Sequence, residues 1–309
     1  MPTHALLGAT GSTGTAVLRA ILSSRQQKSR ESQEEAKEPL ALNIFVRNEA
    51  KLHSLFSDLP VFSTTTTTTT TSPTSSSLPP THEANFRIHL FIGPISDLSL
   101  STSCLRNAEV IYNCIGTNSL RKNETLEVST AHKIITALED LQREQDQNQS
   151  QEKRKVPTIL WNRTIGLNPK IRNPVPKFVE GILEWAVGWA LDDMRSAQEI
   201  YSAAANAGLL RLICIDAPKL FGTSGAQKTG YELVSQARVR TGLYYGDLGD
   251  AMVEVARKER RDGILRDATV EAIGVGAKKQ VEVNFFVVMG SVLALLGRGV
   301  LVRVFGIYI

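Results

Sequence analysis

The stretch HALLGATGSTGTAVLRAIL, residues 4–22, decides the fold. A short apolar run typical of a buried strand leads into Gly8, Gly11 and Gly14, and an apolar pattern with helical spacing follows. Glycine permits a tight turn and leaves no Cβ to hold a phosphate away, and the first N–H groups of a helix bind anions. The strand–turn–helix order therefore predicts a diphosphate-binding turn, although a helix entry that merely tolerates glycine has the same pattern. Three hydroxyl side chains add donors to this turn: Thr10, Ser12 and Thr13.

Strand-like and helix-like patterns alternate after this turn. The strand patterns cover residues 3–8, 41–46, 86–91, 109–114, 157–162 and 209–215. The helix patterns cover residues 12–24, 48–57, 97–106, 123–141 and 173–208. This alternation predicts an α/β Rossmann fold with a doubly wound parallel sheet, and the shorter elements after Asp216 predict a small C-terminal, substrate-facing annex.

Low-complexity and charged segments interrupt the pattern. Residues 25–39 are charged, residues 63–80 are rich in Thr, Ser and Pro, and residues 143–155 are polar throughout. Such segments bury too little apolar area to offset their ordering entropy, so we interpret them as surface loops within a nucleotide-binding domain of residues 1–220. Residues 221–309 form the substrate-facing segment and an apolar tail.

The overall composition favours a cytoplasmic enzyme over a nucleic-acid-binding or secreted protein. The formal net charge of +4 over 309 residues is small and scattered, which argues against a nucleic-acid partner. Three cysteines without a C-x-x-C pair indicate reduced thiols, the histidines lack metal-ligand spacing, and the N-terminal region lacks the layout of a signal peptide. The apolar segment 285–309 is predicted to be a docked helix or a helix on a membrane surface.

The end of the second strand pattern indicates which dinucleotide binds. NAD-specific Rossmann proteins place an acidic residue there for the ribose 2′-hydroxyl. In this chain Arg47 stands at that position, and Lys51 lies one helical turn further on. Two cations favour a 2′-phosphate, so the predicted cofactor is NADP(H), although a solvated surface pair has the same pattern.

Several motifs together resemble a known family. GATGSTG at 8–14, VRNEAKL at 46–52 and GPISD at 93–97 resemble the NmrA-like, NAD(P)-binding atypical short-chain dehydrogenases/reductases. The start of the chain, LNPK at 167–170, DDMRSAQEI at 192–200 and ALLGRG at 294–299 resemble the fungal averufin oxidase A family more specifically.

The resemblance implies a Rossmann oxidoreductase of aromatic polyketide pathways of the aflatoxin, sterigmatocystin, anthraquinone and xanthone type. It also exposes departures from the family pattern. Where members tend to carry Ser-Ser after the fifth strand, this chain has Arg163 and Thr164, and where they often carry Tyr-Asp-Asp followed by Lys, it has Leu191-Asp192-Asp193 and then Arg195.

The proton relay of typical short-chain reductases is also absent. No tyrosine in the sequence is followed by lysine four residues later. The residues that remain for substrate chemistry lie near the predicted strand ends. Our candidate catalytic residues are Thr164, Asp193 and Arg195, and each has a structural alternative as a turn, cap or surface residue. Weaker candidates for substrate contact are Asp192, Asp216, Lys219, Tyr244 and Tyr245.

The loop after the fourth strand is predicted to lie against the nicotinamide ribose. Cys114 and Gly116 are its cofactor-binding candidates, the glycine because it permits close approach. The predicted function is that of an NADP(H)-dependent oxidoreductase acting on an anthraquinone- or xanthone-type intermediate, with no metal ion. A non-catalytic NADP sensor of the NmrA type and a redox-neutral isomerase or dehydratase are the alternatives.

Overall fold

Strands and helices alternate along the chain in a computed structural model, which describes residues 1–31, 39–57, 86–116, 125–147, 155–171, 177–222, 225–234, 242–263, 269–279 and 297. The first part contains β1 (Thr3–Leu7), α1 (Ser12–Glu31), β2 (Leu40–Val46), α2 (Glu49–Leu55), β3 (Phe86–Ile92), α3 (Leu98–Leu105), β4 (Ala108–Asn113) and α4 (Leu126–Gln147). The second part contains β5 (Thr158–Thr164), α5 (Lys177–Asn206), β6 (Arg211–Ala217), β7 (Lys219–Phe221), β8 (Tyr231–Val234), β9 (Gly242–Tyr244), α6 (Tyr245–Asp262) and β10 (Val270–Ala277).

The main sheet has eight strands in the order β3-β2-β1-β4-β5-β6-β10-β8. Neighbours pair in parallel from β3 to β10, and only β8 runs antiparallel at its edge. The first six strands have the Rossmann order, and the direction of winding reverses between β1 and β4. The predicted fold class is therefore confirmed, and ligands of this fold bind outside the carboxyl ends of the strands at that reversal.

Two apolar clusters cover the two faces of the sheet. Successive side chains of a strand point to opposite faces, so Leu6 belongs to one cluster and Ala5 and Leu7 belong to the other. The first cluster includes the buried sides of α1 and α6, and the second includes those of α3, α4 and α5. Burial on both faces explains why the strands are continuous apolar runs.

Two of the three predicted loops are wrong at their N-terminal ends. Helix α1 continues to Glu31, into the segment 25–39, and α4 continues to Gln147, into the segment 143–155. Gln, Lys, Arg and Glu are good helix formers, so a helix that starts on the core continues through these residues despite their polar composition. The third loop, 63–80, lies outside the described residues.

The chain beyond residue 220 contributes to the same sheet as the chain before it. Strand β10 pairs with β6, β8 pairs with β10, and α6 packs along α1. The predicted boundary at residue 220, between a nucleotide-binding domain and a substrate-facing segment, stays a prediction. Strands from before and after this residue belong to one sheet.

The apolar tail 285–309, apart from residue 297, lies outside the described residues. Among the helices of the described ranges, none has an apolar stretch long enough to cross a bilayer.

Candidate active site

The three glycines of the first turn have different structural roles. Gly8 has φ +81°, and a Cβ there would lie 2.9 Å from the carbonyl oxygen of Cys114. A Cβ on Gly14 would lie 2.2 Å from the carbonyl oxygen of Gly8, whereas one on Gly11 would lie 3.4 Å from that oxygen, which is near ordinary contact distance. The fold therefore requires glycine at 8 and 14 but not at 11, where the close approach of a ligand stays a prediction.

A cavity of about 410 Å³ opens beside this turn, at the carboxyl ends of β4, β5 and β6. Six of the candidate catalytic and cofactor-binding residues line it: Gly11, Ser12, Thr13, Cys114, Gly116 and Thr164. Its other lining residues are Ile115, Glu127, Asn162, Arg163, Met194, Ala217, Pro218, Lys219, Leu220 and Tyr245. The turn predicted from the sequence to bind a diphosphate thus meets the loop predicted to bind the nicotinamide ribose.

The predicted cofactor residues outside this lining support the turn or stand further along the edge. Gly8 and Gly14 belong to the turn but do not line the cavity, and Thr10 is half-buried within the turn. Arg47 is exposed directly after β2, at the same edge of the sheet as the turn. Lys51 is also exposed, in the first turn of α2, where its backbone N–H donates to Asn48 Oδ1 at 3.0 Å.

The acidic pair on α5 has separate structural partners. Asp193 is buried, and its carboxylate accepts from the backbone N–H groups of Glu127 at 2.9 Å and Val128 at 3.1 Å. It thereby satisfies amide groups in the first turn of α4, which a helix leaves without internal partners. Asp192 and Arg195 form an exposed ion pair at 2.8 Å. Neither of the candidate catalytic residues Asp193 and Arg195 lines the cavity.

A buried ion pair stands where the family pattern has serine. Arg163 is 3% exposed and binds the carboxylate of Asp216 through two nitrogens, Nε at 2.6 Å and Nη2 at 2.9 Å. Gln198 accepts a further hydrogen bond from Arg163, and Asn168 donates one to Asp216. Asp216, a weaker candidate for substrate contact, belongs to β6 and is fully buried, and its side chain braces β5 through Arg163.

Thr164 is the last residue of β5 and lines the cavity. Lys219 also lines the cavity, and Tyr245 lines it next to the glycine turn, beside Ser12. Burial raises the pKa of Tyr245, so this phenol is neutral and able to donate. Tyr244 packs against the core instead.

Two polar residues of the cavity were missed by the sequence analysis. Asn162 has a buried side-chain oxygen without a hydrogen-bond partner among the described residues. Glu127 is 3% exposed, and its Oε2 accepts from Trp161 Nε1 at 3.3 Å. Burial, and to a smaller extent the charge of Asp193, raise the pKa of Glu127 to about 8 against the opposing effect of the hydrogen bond from Trp161.

A signal for Glu127 was present in the sequence. The buried positions of α4 recur with helical spacing, and glutamate is the first of them: Glu127, Thr130, Ala131, Ile134, Ala137 and Leu138. An acidic residue on an otherwise buried stripe points to a site.

These residues fit a dinucleotide. Gly11 has no Cβ beside the N-terminus of α1, where the backbone N–H groups of a first helical turn and the helix dipole favour a diphosphate. The unpaired oxygen of Asn162 is an acceptor for an N–H or O–H group of a ligand. Fold and site together define an oxidoreductase with the NAD(P)-binding fold of the short-chain dehydrogenases/reductases.

Known proteins place the chain more narrowly. It is 33% identical over 260 residues to averufin oxidase A of Aspergillus flavus, covering 84% of this chain and 79% of that protein. It is 30% identical over 302 residues to averufin oxidase stcO of Emericella nidulans, covering 95% of this chain and 88% of that protein. The chain therefore belongs to the averufin oxidase A family.

A solved structure is similar in fold. A wide-type short-chain dehydrogenase/reductase from Veillonella parvula in complex with NADP superposes with a TM-score of 0.56, at 14% identity, over 91% of this chain and 99% of that chain. No family model matches the sequence.

Proposed function

We propose that this protein is an NADP(H)-dependent oxidoreductase that acts on an anthraquinone- or xanthone-type intermediate of fungal secondary metabolism, in the cytoplasm. The observation that carries the proposal is the cavity in which the glycine turn, the loop Cys114–Gly116 and Thr164 meet. A dinucleotide on the turn and a small substrate at the strand ends share this space in Rossmann enzymes. The substrate class is supported by relatives that are named averufin oxidases.

The preference for NADP(H) is supported by charge at the end of β2. Arg47 and Lys51 are both exposed there, and guanidinium and ammonium groups pair well with a phosphate. Glu49, which lies between them in the sequence, has its carboxylate 3.5 Å from the ring of His53 on α2. The similar Veillonella parvula protein was solved with NADP.

Each part of the cavity has a task in this proposal. The α1 N-terminus would hold the diphosphate, and Ser12 and Tyr245 would line the same space. A bound nicotinamide supplies or takes up the hydride. Thr164 and Asn162 would bind substrate or cofactor oxygen and nitrogen atoms at the cavity wall, and Arg163 would keep β5 in place through Asp216.

Calorimetric titration with NADPH and NADH tests the cofactor. Arg47→Ala should weaken NADPH binding by about tenfold or more, since the lost charge-assisted contact is worth about 1.5–3 kcal/mol, and should leave NADH binding unchanged. Arg143→Ala on α4, where Arg143 is 63% exposed, is the matched control. Equal loss of NADPH and NADH affinity, or no loss, would contradict the assignment.

The reaction is tested separately by NADPH consumption and product mass with hydroxyanthraquinone and xanthone substrates. A change of two hydrogen atoms per cofactor used is the expected result. Tight cofactor binding without turnover would favour a sensor, and conversion without a change in hydrogen count would favour an isomerase or dehydratase.

A further inference from the structure

Glu127 is the one acidic residue that lines the cavity among the described residues. It is the second residue of α4, and Asp193 holds its backbone N–H and that of Val128. Because Asp193 on α5 holds these two amide groups, the start of α4 is fixed in place. The side chain of Glu127 therefore extends from a fixed backbone position at the cavity wall.

The two carboxyl oxygens of Glu127 have different surroundings. Oε2 accepts from the indole N–H of Trp161, a fully buried residue of β5. Oε1 lies beside Gly116, where a Cβ would approach it to 3.0 Å. No hydrogen bond engages Oε1 from within the described part of the chain. One oxygen is therefore anchored, and the other is available next to the loop that is predicted to contact the nicotinamide ribose.

We propose that Glu127 is the catalytic acid and base of this enzyme, exchanging a proton with the substrate oxygen through Oε1. The inference rests on the proposed oxidoreductase function. Glu127 would be the proton donor of a chain that has no Tyr-x-x-x-Lys motif. We prefer Glu127 to Asp193 for this role, since both carboxylate oxygens of Asp193 already accept hydrogen bonds from α4.

The protonation state of Glu127 suits this role. A pKa of about 8 leaves the carboxyl group protonated at neutral pH and close to its midpoint, the condition in which acid–base catalysis is most effective. Tyr201, on α5, is fully buried and its pKa is well above the usual value, so its phenol adds no charge. The other charged or titratable groups around the cavity are Asp193, Arg163 paired with Asp216, Cys114, Lys219 and Tyr245.

The proton and electron balance is simple. In reduction, a hydride adds to the carbonyl carbon, the O–H bond of Glu127 breaks, and its proton joins the carbonyl oxygen to form a hydroxyl group. Glu127 is left as a carboxylate, which water reprotonates. In oxidation the hydroxyl proton passes to Glu127 Oε1 as the hydride leaves the carbon.

The first test measures the carboxyl group itself, without substrate. Infrared spectra of the full chain between pH 5 and pH 10 should show a protonated carboxyl band that disappears with a midpoint near pH 8. The band should be missing in Glu127→Gln and present in Glu139→Gln, which makes the same change at an exposed position of α4. Ionisation of Glu127 below pH 6 would overturn the inference whether or not turnover is seen.

The second test follows turnover and binding in the same variants. Glu127→Gln should bind NADPH as tightly as the unmodified protein, while kcat falls by about 100-fold or more and the decline of the reduction rate above pH 8 disappears. Unchanged kcat with the same pH profile in Glu127→Gln would overturn the inference. If the unmodified protein binds NADPH and shows the titrating band but converts no quinone or xanthone, the proposed function fails and the assignment of Glu127 as a buried acid stands.

Discussion

Substitution of Gly11 by alanine tests whether glycine at this position is needed for folding or for binding the cofactor. An alanine Cβ at position 11 would lie 3.4 Å from the carbonyl oxygen of Gly8 and 4.0 Å from that of Cys114. The same change at Gly14 would bring Cβ to 2.2 Å from the Gly8 oxygen. The two variants add one methyl group to the same turn, but only the second must move the backbone.

The expected magnitudes follow from these distances. Gly11→Ala should change the free energy of unfolding by less than about 1 kcal/mol, because the contact is nearly ordinary and alanine restricts the unfolded chain. Gly14→Ala should cost about 1–3 kcal/mol or more, as overpacking does. In contrast, the methyl group of Gly11→Ala would push the diphosphate from the α1 amides. Losing one charge-assisted hydrogen bond costs about 1.5–3 kcal/mol, or about 10- to 100-fold in cofactor affinity.

Urea denaturation measures the change in the free energy of unfolding, and calorimetric titration with NADPH measures the change in cofactor affinity. Gly181→Ala is the control, since Gly181 is exposed on α5 and distant in sequence from the turn. Retention of full NADPH affinity in Gly11→Ala would refute the claim that a ligand explains this glycine, and loss of the fold in Gly11→Ala would refute the steric reasoning.

Three further predictions concern buried charged groups. The pKa of Glu127 in the folded chain, about 8, lies above its usual value of 4.5, so between these values the folded state keeps a proton that the unfolded state has lost. The free energy of unfolding therefore falls as pH rises through this window. Urea denaturation should find Glu127→Gln more stable than the unmodified protein at pH 9, with a smaller difference at pH 5. Asp193→Ala leaves the amides of Glu127 and Val128 without their acceptor and should cost about 1–2 kcal/mol, measured by thermal denaturation. Asp216→Ala leaves the guanidinium of Arg163 buried and unpaired and should cost about 3–5 kcal/mol, whereas Asp216→Ala combined with Arg163→Met should recover much of the loss. A stability of Asp216→Ala equal to that of the unmodified protein would contradict the assigned pairing.

Local sequence predicted the fold well because its signals are local. A strand buried on both faces needs a continuous apolar run, and a turn at a phosphate needs small residues before a helix. Residues 4–22 contain both, and the structure places Ser12 at the start of α1. The helices that extend into charged segments were missed, because polarity indicates solvent exposure and does not by itself end a helix.

Sequence patterns alone did not identify Glu127 as the acid that we propose for the active site. Glu127 is separated from Trp161 by 34 residues and from Asp193 by 66, and nothing in the spacing of the chain indicates that they meet. Asp193 and Asp216 have the residue type of catalytic acids, but both are buried and held by donors on other elements, which the sequence does not indicate.

The sequence by itself determined the Rossmann fold, the glycine turn and the positive charge after β2, because each depends on neighbours within a few residues. Only the tertiary structure decided which carboxylates are braced by donors and which one is buried beside the cavity. The physical reason is that the free energy of a charged group depends on burial and on partners from distant strands and helices, which the crossovers of the fold bring together.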